Sequence, residues 1–215
     1  MPSKRQNGRL LNSSLLCDVG NTNFSFSDGK KISVEHFDIS SLDETVYYIS
    51  VNHYWEKRLE AEENWINLRS YIDFEKYYDS MGIDRVMCCE AVEDGVVVDA
   101  GSAITVDVIK SGHHEGGFIV PGFKAMRKCF KDISPRLDVS FNFDLDLAKI
   151  PRNTEDALSY GAVAPLVSHI ASLSKALPVI LTGGDAQILL PLIPNAVIDT
   201  ELVFKGMKKI IQGQA

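Results

Sequence analysis

The chain has 215 residues, of which 45% are apolar and 24% charged, the balance of a globular protein rather than a disordered or fibrous one. The formal net charge of −7 speaks against a general nucleic-acid binder, which gains affinity from lysines and arginines that neutralise phosphates. An anionic small substrate stays open, because a site acts through its local field.

Residues 1–14 are polar and basic, without the apolar segment of a secretory signal, and read as a flexible tail. Leu15-Leu16-Cys17-Asp18 predicts a strand broken at Gly20-Asn21. Short strands are expected at 24–27 and 32–37, joined by the hairpin dipeptide Asp28-Gly29. Val46 to Val51 predicts a buried strand, residues 54–78 give no clear pattern, and 83–92 predicts a helix. Four cysteines, Cys17, Cys88, Cys89 and Cys129, form no Cys-x-x-Cys pair. Neither zinc nor a disulfide framework is indicated, and reduced thiols in a cytoplasm fit best. No stretch is expected to reach the roughly 18 apolar residues that span a bilayer.

The opening pattern then recurs. Val96-Val97-Val98-Asp99-Ala100-Gly101-Ser102 mirrors Leu15-Leu16-Cys17-Asp18-Val19-Gly20-Asn21, and each leads into a second strand, 103–109 in the later copy. A repeated supersecondary unit predicts duplicated lobes. Gly116 to Gly122 precedes a helix at 123–130, and Asn153 caps a helix reaching Ser174. Val179 to Thr182 is a strand ended by Gly183-Gly184, and residues 203–211 form a last amphipathic helix. Alternating strands and helices predict an α/β protein with mixed sheets: a tail at 1–14, an N-terminal lobe at 15–93 and a C-terminal lobe at 94–215.

A strand ending in Asp-x-Gly presents a carboxylate at its tip, and the glycine lets backbone N–H groups approach a phosphate. A carboxylate beside a triphosphate implies an intervening cation, here Mg²⁺. Asp18 to Asn21 alone reads as an ordinary turn; the second copy at Asp99 to Ser102 shifts the balance toward two loops gripping one phosphate chain. Gly183-Gly184 adds a flat surface for a purine. Three such loops, without a P-loop or a dinucleotide fingerprint, resemble those of the acetate and sugar kinase, Hsp70 and actin superfamily, and the resemblance implies its actin-like architecture of duplicated ribonuclease H-like lobes with an interlobe cleft.

The resemblance becomes specific in six segments: Asp18-Val19-Gly20-Asn21-Thr22, Gly82-Ile83-Asp84-Arg85, Asp99 to Asp107, Gly116 to Gly122, Asn153-Thr154 and Thr182 to Asp185. They stand in the order found in type III pantothenate kinases, which the chain resembles from Leu15 to its last helix. The resemblance implies ATP-dependent phosphorylation of pantothenate to 4′-phosphopantothenate, the first step of coenzyme A biosynthesis, by a cytoplasmic homodimer. It implies that Asp18, Val19, Gly20, Asn21, Thr22, Asn23, Phe24 and Ser25 form the first ATP loop, with Asp18 near the Mg²⁺ shell. Ser102, Gly183 and Gly184 would also meet ATP, and Asp99 would hold a monovalent cation, K⁺ or NH₄⁺. Gly82, Ile83, Asp84, Arg85 and Thr154 would bind pantothenate, with Asp84 as catalytic base.

Two departures stand out. Ser102 replaces the family's usual Thr, keeping the hydroxyl. The tyrosine expected before Gly-x-Asp-Arg is represented by Tyr77-Tyr78, closer to the motif and without Asn-Pro; Tyr78 is preferred, Tyr77 second. Plainer readings stand beside these. Asp84 also suits a helix N-cap, and Arg85 a solvated charge. His113-His114 read as loop residues, since neighbours on one strand face opposite ways and cannot easily share a metal. Cys88-Cys89 read as packing. The rival functions are an actin-like kinase for another small hydroxy compound and a non-catalytic nucleotide-binding regulator. The expected partners are ATP and pantothenate, with no nucleic acid and no membrane.

Overall fold

A computed structural model of the protein describes residues 14–213, so the tail expected at 1–14 lies outside the described residues except for Ser14. The chain divides into two units: one runs to Val92 and resumes at Glu201, the other is Glu93–Thr200.

The first unit is built on β1 (Leu15–Val19), β2 (Asn23–Phe26), β3 (Lys31–Ser33), β4 (Val46–Ser50) and β5 (Trp65–Asn67), ordered β3-β2-β1-β4-β5. β2 runs antiparallel to β1 and β3, whereas β4 runs parallel to β1 and β5. β1 is central and buried except at Asp18, which is why it reads as an apolar run rather than an alternation. One face packs on an aromatic cluster: Phe24 stacks on Phe37 at 3.9 Å and meets Trp55 edge-on at 5.0 Å. Full burial of a side chain such as Phe24 contributes about 1.5–3 kcal/mol.

Residues 54–78 resist sequence reading because their elements are too short for a period to emerge. They hold most of α1 (His53–Leu59), then β5 and two 3₁₀ turns, Leu68–Tyr71 and Phe74–Lys76. α1 starts where the Asn52 side chain accepts from the N–H groups of Tyr54 and Trp55, and it buries only Trp55 and Leu59.

The second unit repeats this path. β6 (Gly95–Ala100), β7 (Ala103–Lys110), β8 (His113–Pro121), β9 (Val179–Thr182) and β10 (Ala196–Ile198) are ordered β10-β9-β6-β7-β8, the same topology read from the other edge. The first unit carries α2 (Ile83–Glu90), and the helices of the second are α3 (Phe123–Ile133), α4 (Thr154–Ser174) and the short α5 (Ala186–Leu189).

Three expectations change. The last helix, α6 (Leu202–Gly213), groups with the first unit, not with a C-terminal lobe at 94–215. It packs on α2 and buries Leu202, Phe204 and Met207; an amphipathic pattern reveals an apolar face but not which core receives it. His113 and His114 lie on β8 rather than in a loop. Ser111 (φ 49°) and Gly112 (φ 72°) form a two-residue hairpin turn with positive φ at both positions, which returns the chain so that Lys110 pairs with His113. His114 then turns inward, with Nε2 2.8 Å from Asp107 Oδ1. Finally, α4 has 21 residues and a mean hydropathy of 1.2 over its most apolar window, so by length and composition it is long enough to cross a bilayer. Its Ala162, Val163, Leu166 and Ile170 lie in the core of the second unit.

Candidate active site

In the first unit Asp18 is the penultimate residue of β1, between Ser25 and Ile49 on the flanking strands. Beyond it the chain turns sharply, with the Gly20 N–H donating to the Asn23 carbonyl at 2.9 Å. Asn21 and Thr22 are exposed at the tip, and the Val34 N–H donates to the Thr22 carbonyl at 3.0 Å. Val19 and Phe24 are fully buried, so within the expected ATP loop they can present only backbone.

The second unit repeats the motif with tighter packing. Asp99 lies between Thr105 and Thr182, and the Gly101 N–H donates to the Ala103 carbonyl at 2.9 Å. Ser102 is exposed at the tip, where its carbonyl accepts from the Gly122 N–H at 3.1 Å. Gly183, with φ 86°, follows β9; a Cβ there would stand 2.4 Å from Asp99 Oδ1 and 2.5 Å from the Ala100 carbonyl. The Asp185 N–H donates to that same carbonyl at 2.8 Å. Asp99, Ser102 and the Gly183-Gly184 turn are therefore gathered in one unit. Thr154 is the exposed first residue of α4. The helix start is held by Asn153, whose Oδ1 accepts from the Asp156 N–H at 2.9 Å while its Nδ2 donates to the Asp156 carboxylate at 2.7 Å.

The third cluster forms at the start of α2. The cap position is Gly82, which offers no side chain, so Asp84 is not the N-cap that spacing allowed. Asp84 sits in the first turn, its Oδ1 accepting from the Arg85 N–H at 2.8 Å. A carboxylate is favoured there by the helix dipole. A Cβ on residue 82 would lie 2.6 Å from Asp84 Oδ1, so the glycine makes the room this carboxylate occupies. Nor is Arg85 a solvated charge: it is buried, its Nη1 donates to the Tyr78 hydroxyl, and its guanidinium carbon lies 5.7 Å from the Tyr78 ring centroid. Tyr78 is 45% exposed. Tyr77 turns the other way and donates to Glu90 Oε1 at 2.9 Å, with Lys76 Nζ 3.6 Å from the same oxygen. Burial first, then the Glu90 charge, push the Tyr77 phenol well above its ordinary range. Cys88 and Cys89 are buried, as expected. Glu90, Lys76 and Lys209, which donates to the Glu90 carbonyl at 2.8 Å, escaped the sequence reading. The available signal was Glu90 itself, a lone carboxylate closing the apolar run Met87-Cys88-Cys89, which needs partners if buried.

Two like-folded units, each with a carboxylate at the end of its central strand, define an actin-like fold of the kind used by small-molecule kinases. A Sinorhizobium meliloti protein described as a candidate 2-dehydro-3-deoxygalactonokinase shares this fold, with a TM-score of 0.55 at 11% identity, over 93% of this chain and 96% of its own. The sequence profile of the type III pantothenate kinase family matches residues 27–176. A type III pantothenate kinase of Sulfurimonas denitrificans is 50% identical over 201 residues, 92% of this chain and 97% of the relative. A solved Campylobacter jejuni structure, described as a candidate Baf family transcriptional activator, superposes with a TM-score of 0.85 at 41% identity, covering 93% of this chain and 98% of its own. The chain belongs to the type III pantothenate kinase family.

Proposed function

We propose that this protein transfers the γ-phosphoryl group of ATP to the primary hydroxyl of pantothenate, with Asp84 as the base. The observation that carries the reading is the start of α2, where Asp84 follows a residue without a side chain and the buried Arg85 beside it donates to the hydroxyl of the half-exposed Tyr78. Phosphoryl transfer passes through a loose transition state, so positioning and charge compensation dominate. Asp84 orients the acceptor hydroxyl and takes its proton as the new P–O bond forms and the bond to ADP breaks. Arg85 and Tyr78, together with Thr154, hold pantothenate; Tyr78 is preferred to Tyr77 because it is exposed beside Arg85. Asp18 to Ser25, Ser102 and Gly183-Gly184 contact ATP through backbone N–H groups and hydroxyls.

Asp18 would stand near Mg²⁺, and Asp99 would hold K⁺ or NH₄⁺. These hard oxygen donors suit such ions, and residue 183 sets no Cβ against the Asp99 carboxylate. When bound, the cations offset the triphosphate charge. None of the four cysteines is joined in a disulfide, which supports work in the cytoplasm, and the enzyme acts there as a homodimer on small molecules alone.

Asp84→Asn keeps an oxygen for the Arg85 N–H and removes the base. It is expected to lower kcat by about 10²–10⁴-fold with ATP binding and melting temperature nearly unchanged. Retained turnover would place the base elsewhere. ATP consumption with and without pantothenate, in Mg²⁺ and with K⁺ exchanged for Na⁺, tests the acceptor and the monovalent site. The description of the Campylobacter jejuni structure favours a second reading, a nucleotide-binding regulator. ATP binding without transfer to any acceptor would support that one.

A further inference from the structure

The proposed acceptor contacts lie on two pieces of chain, Arg85 on a helix and Tyr78 in the loop before it. Arg85 is fixed by burial in α2, but Tyr78 is 45% exposed and needs its loop held for it. That loop is anchored on both sides of Tyr78. On one side Met81 is buried, and its N–H donates to the Tyr78 carbonyl at 3.0 Å. On the other, Tyr77 donates to Glu90 at the last position of α2, and Lys76 adds an ion pair to the same carboxylate oxygen. Glu90 is 6% exposed, a burial that costs free energy unless its oxygens are paired. Lys209 of α6 donates to the Glu90 carbonyl, so the anchor is itself tied to the terminal helix. Burial and the Glu90 charge both favour the neutral phenol, which keeps Tyr77 a donor.

We infer that Tyr77 and Glu90 are positioning residues: their hydrogen bond clamps the loop 76–81 to the far end of α2 and so sets the Tyr78 hydroxyl against Arg85. This rests on the reading of Tyr78 and Arg85 as acceptor contacts. The pair touches neither substrate; it acts through Tyr78.

The test uses the full chain with Tyr77→Phe, which keeps the ring and leaves Glu90 its lysine partner, and Glu90→Gln, which keeps an oxygen acceptor for Tyr77. Pantothenate KM, ATP KM and kcat are measured with hydrogen exchange of the 76–82 amides in the substrate-free protein. Tyr77→Phe is expected to raise pantothenate KM about tenfold, the effect of losing a hydrogen bond to a charged group, with kcat and ATP KM nearly unchanged. Exchange at 76–82 should quicken, whereas Glu90→Gln, which keeps the acceptor, should leave both pantothenate KM and exchange close to the wild-type values. Unchanged exchange in Tyr77→Phe overturns the clamp, as does an unchanged pantothenate KM or an equal rise in both KM values. If the wild-type protein does not phosphorylate pantothenate, the acceptor reading fails separately, and the exchange measurement still decides whether Tyr77 holds the loop.

Discussion

The two hairpins whose first strands carry Asp18 and Asp99 near their ends follow one path with different tolerances. In each, a strand-end carboxylate is followed by a glycine whose N–H closes the turn, on Asn23 in the first unit and on Ala103 in the second. In each, a residue just past the third strand donates to the carbonyl at the turn's tip: Val34 to Thr22, and Gly122 to Ser102. The difference is in what stands there. Val34 carries a side chain, whereas a Cβ on Gly122 would fall 2.2 Å from the Gly101 carbonyl and 2.7 Å from that of Ser102. Ser50, paired with Val19 at the end of β4, carries a hydroxyl that bonds to Asn52; its counterpart after β9 is Gly183, pressed against Asp99. Duplication therefore preserved the backbone route while the second copy closed more tightly around its carboxylate.

Substitutions at matched positions sharpen this comparison. The largest effect is expected for Gly183→Ala, where the left-handed backbone and the contact with Asp99 and Ala100 add together. About 4 kcal/mol of stability should be lost in denaturant unfolding, against about 1–2 kcal/mol for Ser50→Ala, which loses two local hydrogen bonds to Asn52. Equal losses at the two positions would break the asymmetry. Next comes Gly122→Val, which installs the residue of the first unit in the second. Its φ is −65°, so the cost is overpacking against backbone alone, about 3 kcal/mol. The reverse change, Val34→Gly, should cost about 1 kcal/mol.

The smallest effect concerns pH. Burial raises the Cys17 thiol and the Tyr77 phenol well above their ordinary values and the Tyr48 phenol to about 12, and all three belong to the first unit. These groups stay neutral in the folded state but ionise in the unfolded chain near their ordinary values of 9.0 and 10.0. Their stabilisation is thus full below about pH 9 and is lost as pH rises through the folded values. Both tryptophans, Trp55 and Trp65, lie in the core of the first unit. Alkaline titration should therefore red-shift tryptophan emission before far-UV circular dichroism reports loss of the second unit. Coincident transitions would show that the first unit is not the alkaline weak point.

Much of the fold was legible because its signals are local. Central strands buried on both faces read as apolar runs, Asp-x-Gly marks their ends, and Asn153 announces α4 through a cap that forms as expected. The repeat was visible because strand, carboxylate, turn and second strand recur together. Residues 54–78, α5 and β10 were not legible, since elements of three to seven residues carry no measurable period. His114 was misread because Ser111-Gly112 was not recognised as a hairpin turn, and that turn places the histidine on a buried face.

The linear order of residues is enough to name the two carboxylate-tipped strands, the Gly-x-Asp-Arg helix start and the family, because each depends on neighbours within a few positions. Where side chains finally point depends on contacts between segments far apart in the chain. Tyr77 faces Glu90 while its neighbour Tyr78 faces Arg85, and Asp84 lies in the first turn instead of capping it. The terminal helix joins the first unit, where Lys209 reaches Glu90 across 119 residues. Such choices follow from which buried groups must find partners once water is excluded, and that is settled only when the core has closed.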